Sequence, residues 1–475
     1  MPANDQLTAL DATFLELEQA DDSALMHIGA TVVFGPLPGG GTPAIGELRA
    51  HLDQRLDLLP RYRQKLDAPR TGGLAWPSWE RDQRFEIEAH VRHAALPSPG
   101  EERELLSWVS DFYSHRLDRN RPLWEMVLLD GLANGRWALV TKTHHCLVDG
   151  VGSVAVGDLM FDAQPVPHEQ SALHPARPAA VEETGHGWLP HPPAPIRIVA
   201  GTSLAAARAG AYALMHPREA LERSRGVIDL LVRDELIAAP RSSINVPIGA
   251  TRRIATASVE LGELQVIRSA LGGKLNDIVL CAATGAVREL LQARGEECPR
   301  RGLRAQVPVN IRRAGDDGEL GNKLSSLFIE LPVAEPDPLR RYELVRAATE
   351  KRKASGQALG AGVVLGLTEL APPVLHASLA RLLYAKRLFN ITITSVPGSP
   401  RRLYAFGAPA LEVVPVVPLA AEHALGITAV SYAGQLTFGL CADRAAVPDL
   451  HILKDGILNS IRELAALAHP TAAAP

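Results

Sequence analysis

The chain has 475 residues, of which 46% are hydrophobic and 21% charged, and its 49 Lys+Arg against 53 Asp+Glu leave a net charge of −4. That length exceeds one ordinary core and implies two domains with a cleft between them, while the composition excludes a disordered or fibrous chain. With no long basic run, nucleic acid held through its phosphates is excluded as a partner. Cys146, Cys281, Cys298 and Cys441 lie far apart without CxxC spacing, and no charged-then-apolar leader precedes Leu7. A reducing, cytoplasmic location is therefore expected.

The first block, residues 1–162, mixes helix and strand signals. Ile45, Leu48, Leu52, Leu56 and Leu59 recur at helical spacing, and Phe85, Ile87, Ala89 and Val91 alternate as in a half-buried strand. A further strand-like stretch, Trp137 to Thr143, runs straight into His144-His145-Cys146-Leu147-Val148-Asp149-Gly150. A strand end holds a histidine rigidly at the rim of a core, and Gly150 permits the tight turn by which Asp149 folds back. This suits proton abstraction from an alcohol, amine or thiol by a neutral imidazole. Two competing uses of the motif are a Cys146/histidine nucleophile and a metal held by His144, His145 and Asp149. Neighbouring side chains on an extended segment point opposite ways, which favours a packed thiol and no metal.

Residues 163–250 read as a Pro-rich linker followed by connecting helices. Eight prolines fall between Pro165 and Pro195, more than any helix or sheet interior tolerates. The Ala/Leu-rich stretch 196–215 packs on its own domain or lies against lipid. The apolar stretches 358–368 and 413–421 are well short of the ~20 residues that span a bilayer, so no integral membrane protein is expected. The second α+β block, residues 251–466, opens on the alternating Ile254, Thr256 and Ser258. It carries turn-rich clusters at 271–277, 307–312 and 392–398. Asn276 and Asp277 stand ahead of the apolar run Ile278–Leu280, where a helix should start, so a capping role is open to them. No repeat of 20–50 residues recurs along the chain.

Taken in order, several segments form a set: Leu10-Asp11-Ala12 through Met26-His27-Ile28-Gly29, Pro122-Leu123-Trp124-Glu125, the His144–Gly150 motif, and Asn276-Asp277. Gly321-Asn322-Lys323, Asn390 to Pro397, Ser431 to Gly434 and Ala442-Asp443-Arg444 follow. In these the chain resembles the bacterial wax ester synthase/diacylglycerol acyltransferase family, within the wider CoA-dependent acyltransferase superfamily. HHxxxDG alone marks only the superfamily, whereas the ordered set with PLW and ND is much more specific. The resemblance implies an α+β fold of two chloramphenicol-acetyltransferase-like domains, with the active site in a tunnel at their interface. It further implies acyl-CoA as acyl donor, diacylglycerol or a long-chain alcohol as acceptor, no cofactor, and peripheral attachment to membranes or lipid droplets.

By the same resemblance His145 is the general base and His144 plays a supporting part. Asp149 orients His145 as in a triad or, the reading favoured here, holds the loop by an ion pair with Arg63. Pro122 and Trp124 build the wall of the site. Asn276, with Asp277, either faces substrate from the second domain or caps a helix. Two departures, Ser395 before Val-Pro-Gly and Ser399 before Pro400, bear on tunnel shape and so on acceptor preference. The rival readings are a free-standing condensation-type acyltransferase of peptide or polyketide assembly and a non-catalytic lipid-binding homologue.

Overall fold

The computed structural model describes residues 6–67, 77–148, 156–157, 159–165, 238–310, 324–354 and 388–468. In chain order the strands are β1 (His27–Phe34), β2 (Gln64–Asp67), β3 (Ser78–Arg81), β4 (Val91–Ala95), β5 (Trp124–Asp130) and β6 (Trp137–His144). They continue with β7 (Arg252–Glu260), β8 (Leu303–Asn310), β9 (Leu324–Leu331), β10 (Ile391–Pro397), β11 (Tyr404–Ala405), β12 (Ala408–Val416), β13 (Leu425–Tyr432) and β14 (Gln435–Asp443). Two six-stranded sheets result, one ordered β11-β12-β1-β6-β5-β4 and the other β7-β14-β13-β10-β8-β9.

The first half also contains helices α1 (Ala9–Ala20), α2 (Ile45–Arg55), α3 (Ile87–His90) and α4 (Glu102–Tyr113). The leucine periodicity predicted α2. Leu48 and Leu52 are buried, and a 3-10 turn at Leu56–Leu58 keeps Leu56 and Leu59 on the same inner face. The alternation at 85–91 misled: Ile87–His90 is a single helical turn, and strand pairing begins only at Val91. The reason lies in His90. Its ring stacks against Phe85 (5.1 Å) and Trp124 (4.7 Å), and its Nδ1 meets the Trp124 carbonyl at 2.8 Å. Residues five apart point to opposite faces of a strand, so only a turn brings Phe85 and His90 together.

The two halves of the chain are not separate in space. β11 and β12, from the block read as 251–466, extend the first sheet, where β12 pairs antiparallel with β1 (Gly29 opposite Val416, Val32 opposite Val413). β12 also runs close over β14: a Cβ on Gly439 would lie 1.8 Å from the Pro415 carbonyl oxygen. On the other side α4 covers the edge strand β7. The hydroxyl of Ser114 accepts the Arg252 amide at 2.8 Å, and that of Ser110 accepts the Ile254 amide at 2.9 Å. These bonds satisfy N–H groups that an open sheet edge exposes. Pro308 sits inside β8, which is tolerated because its pairing to β10 is confined to Ala305 and Gln306. Most of the expected linker, the 196–215 stretch and the 358–368 stretch lie outside the described residues. Among the described residues no helix is long and apolar enough to cross a membrane.

β1 and β6 are central, and between them the ladder is rebuilt locally. The Thr141 hydroxyl accepts the Ala30 amide and donates to the Ala30 carbonyl, both at 3.1 Å. The Thr141 carbonyl is taken by the Tyr113 hydroxyl at 2.5 Å. Tyr113 reaches it across Gly29, where a Cβ would stand 2.1 Å from the Thr141 oxygen and 2.4 Å from the phenol oxygen. Gly29→Ala should therefore cost about 1–3 kcal/mol through overpacking, read as a lower urea midpoint. An unchanged midpoint would show that the strands yield without cost.

Candidate active site

β6 delivers the histidine pair. Trp137 to Val140 are fully buried and anchor the strand, whose far end is gripped by backbone bonds from both sides. The His144 amide donates to the Leu123 carbonyl at 2.9 Å, and the His145 amide donates to the Met26 carbonyl at 2.8 Å. The PLW segment and the residues leading into β1 thus set the position of the motif. The Leu147 amide then returns to the His144 carbonyl at 2.9 Å and turns the chain.

The two imidazoles meet different surroundings. His144 is buried, and its Nε2 lies 2.6 Å from Glu18 Oε2 while its Nδ1 accepts the Cys146 amide at 3.2 Å. An accepting Nδ1 requires the neutral Nε2–H tautomer, so His144 donates to the carboxylate. Burial pushes His144 below the usual imidazole range against the upward pull of Glu18, consistent with that neutral form. Glu18 is itself buried and is flanked by Arg119 at 3.3 Å and Arg116 at 3.6 Å. Burial works to raise its carboxyl, but the bond from His144 and the positive groups nearby hold it down at about 2.

His145 is only partly buried, and its ring stacks on Phe14 with centroids 4.0 Å apart and planes 13° from parallel. Phe14 and Glu18 are four residues apart on α1, so one helix face serves both histidines. The hydroxyl of Thr8 caps α1, accepting the Asp11 amide at 3.1 Å. Neither Phe14 nor Glu18 was singled out from sequence. The available signal was their i, i+4 spacing inside the segment that opens the family set, but nothing in that spacing links α1 to a motif at 144.

His27 pairs in register with His144, and their rings meet edge-on at 6.1 Å. It is buried with neither nitrogen partnered among the described residues, and burial, aided by the neighbouring positive groups, holds it well below the usual range, hence neutral.

Trp124 is buried, and its Nε1 donates to the Tyr62 carbonyl at 2.8 Å while its amide returns to the Pro122 carbonyl at 2.8 Å. Pro122 and Trp124 thus lock the stretch that supplies Leu123 to His144. Cys146 is buried too, and burial pushes its thiol well above the ordinary value, which leaves it a packed, un-ionised side chain.

Arg63 is engaged by α2: its Nη2 donates to the Asp53 carbonyl (2.9 Å) and carboxylate (3.0 Å) and reaches Asp57 at 3.4 Å. Asp149 and Gly150 lie outside the described residues, and with them the expected Asp149–Arg63 pair. In the second half, helix Leu275–Ala293 places Asp277 at its third position, where the carboxylate accepts the Lys274 amide at 2.8 Å. Asp277, expected with Asn276 as a substrate-facing group, is therefore occupied in closing the helix start. Asn276, one residue earlier, is part-exposed and makes no side-chain hydrogen bond among the described residues, so the cap is not its role. Among the described residues no three His, Cys, Asp or Glu side chains are grouped to hold a metal ion.

Two such sheets, with strands of the second half completing the first, are a fold that condensation domains share. The first condensation domain of the calcium-dependent antibiotic synthetase superposes with a TM-score of 0.62 over 99% of this chain and 97% of that one, at 18% identity, a likeness of fold alone. The wax ester synthase/diacylglycerol acyltransferase from Marinobacter aquaeolei VT8 matches with a TM-score of 0.70 and 27% identity over 98% of this chain and 99% of its own. Residues 7–279 match the wax ester synthase/diacylglycerol acyltransferase catalytic domain, and residues 320–465 match the C-terminal domain of that family. Two probable diacylglycerol O-acyltransferases of Mycobacterium tuberculosis are 34% identical over 465 residues (96% of this chain, 97% of theirs) and 31% identical over 474 residues (97% and 96%). The chain belongs to the wax ester synthase/diacylglycerol acyltransferase family.

The depressed Glu18 carboxyl carries a pH signature. Its contribution to stability is complete above the unfolded value of 4.5 and is lost as pH falls towards about 2. Glu18→Gln keeps an acceptor for His144 but removes the charge that offsets Arg116 and Arg119. The variant should be less stable than the parent at pH 7, and the gap should narrow on going to pH 3 in urea titrations. A gap that is constant with pH would mean that the carboxylate charge contributes nothing.

Proposed function

We propose that the protein is an O-acyltransferase that moves a long-chain fatty acyl group from acyl-CoA to diacylglycerol, a long-chain alcohol, or both, with His145 as general base. The observation that carries the assignment is the division of labour within the histidine pair. His144 is consumed by Glu18 and the Cys146 amide, whereas His145 is part-exposed at the strand end with its backbone fixed. A thioester is already activated, so one base and donors for the oxyanion suffice and no cofactor is required. His145 takes the hydroxyl proton as the acceptor oxygen bonds to the thioester carbonyl carbon. The tetrahedral intermediate then expels CoA by breaking the C–S bond, and the imidazolium returns its proton to the thiolate sulfur.

The membership of the family and the 31–34% identity to acyltransferases along the whole chain favour this over a peptide-assembly condensation enzyme, whose likeness is one of fold. Asp149 holds the motif loop in this reading, and Asn276, with no cap to make, is the polar group the second half offers to substrate. The protein works at a membrane or lipid-droplet surface, where both its acceptors reside. Ser395 lies on β10 opposite Ala429, and it is there, with Ser399, that acceptor preference is set.

His145→Ala should lower the rate of CoA release from palmitoyl-CoA with hexadecanol or diolein by about 10²–10⁴-fold with the fold intact. His144→Ala should instead show its main loss in the urea midpoint, because it strips the donor from a buried carboxylate. If His144→Ala proved the more damaging to turnover in folded protein, the two roles would have to be exchanged. In the second half, Asp277→Ala should cost about 1 kcal/mol of stability as a lost cap, while Asn276→Ala should leave stability alone and cut turnover. Unchanged turnover in Asn276→Ala would remove it from the site.

A further inference from the structure

The stack of Phe14 on His145 does more than fill space. At 4.0 Å and 13° the phenyl face lies flat against the imidazole, the arrangement in which a ring's negative face attracts a cation. As the base proposed above, His145 gains a positive charge when it takes the acceptor's proton. An interaction stronger in the protonated state lowers the barrier rather than merely tightening binding.

Phe14 is held rigidly enough to act in this way. It sits on a capped helix and packs against Leu17, Ala24 and Met26, a small buried cluster that Ala420 of the other half also contacts. Met26 is the residue whose carbonyl holds the His145 amide. One apolar cluster thus fixes both the backbone and the ring plane of the base. The titratable groups on the elements that form this stack are Asp11, Glu16 and Glu18 on α1, Lys142 and His144 on β6, Cys146 beside His145, and His27 next to Met26. Glu18 is neutralised by Arg116 and Arg119, and Cys146 stays un-ionised.

We infer that Phe14 is a positioning residue for acyl transfer, which sets the plane of the His145 ring and stabilises the imidazolium formed when the acceptor loses its proton. This rests on His145 being the base, as proposed above.

The test uses the full-length protein with palmitoyl-CoA and hexadecanol, following thiol release across pH for Phe14→Leu, Phe14→Tyr and His145→Ala. Loss of the aromatic face weakens the imidazolium, so in Phe14→Leu kcat should fall about 3- to 30-fold with KM little changed. The acid limb of its kcat/KM profile should move to lower pH by about half to one and a half pH units, because a less basic imidazole stays neutral further into acid. Phe14→Tyr keeps the face and should retain the parent rate and limb. An acid limb unmoved in Phe14→Leu overturns the inference, provided that His145→Ala is inactive. Full activity in His145→Ala overturns the choice of base instead. Phe14→Met, similar in volume but without a ring, replaces Phe14→Leu if that variant is not recovered folded, and the same limb decides.

Discussion

The site depends on one buried hydrogen bond, from the Nε2–H of His144 to Glu18 at 2.6 Å. An isolated buried carboxylate is expensive, and it persists only where donors and opposite charges surround it. Here they come from β6, through His144, and from the stretch after α4, through Arg116 and Arg119. The bond therefore ties α1, the central strand and the α4–β5 connection into one unit. His145 follows in the chain, so the backbone that carries its imidazole is set beside this anchored neighbour.

On an extended segment consecutive residues face opposite ways, so the side chain that anchors the strand end and the one that follows it meet different surfaces. Placing the same side chain twice lets the inner copy use both nitrogens on the protein, donating through one and accepting through the other. The outer copy stacks on Phe14 and stays part-exposed. Trp124, Pro122 and the stacked His90 play a parallel part at the start of β5, stiffening the stretch that presents the Leu123 carbonyl to the His144 amide.

Much of this was legible in the sequence. The strand running into His144, the helix at 45–55, the strand at 252–260 and the helix start at 275 all rest on local period and capping chemistry. The ordered motifs carried the family. What stayed hidden depends on contacts between distant segments. Phe14 and Glu18 look like ordinary positions of an amphipathic helix until β6 is placed beside them. The alternation at 85–91 was overridden because His90 stacks on Trp124. Asp277 and not Asn276 closes its helix because the cap is set from the third helical position, a one-residue difference that composition does not resolve.

The completion of the first sheet by β12 bears on how the molecule is made. β1 leaves the ribosome early, yet its pairing partner at 408–416 is synthesised only after most of the chain has emerged. Until then one side of β1, beside the future histidine site, offers unpaired amide and carbonyl groups to whatever is near. Contacts between residues as remote as Gly29 and Val416 form slowly because a long loop must close first. The N-terminal half carries the histidine pair but cannot finish its own sheet, which is complete only once the second half has been made.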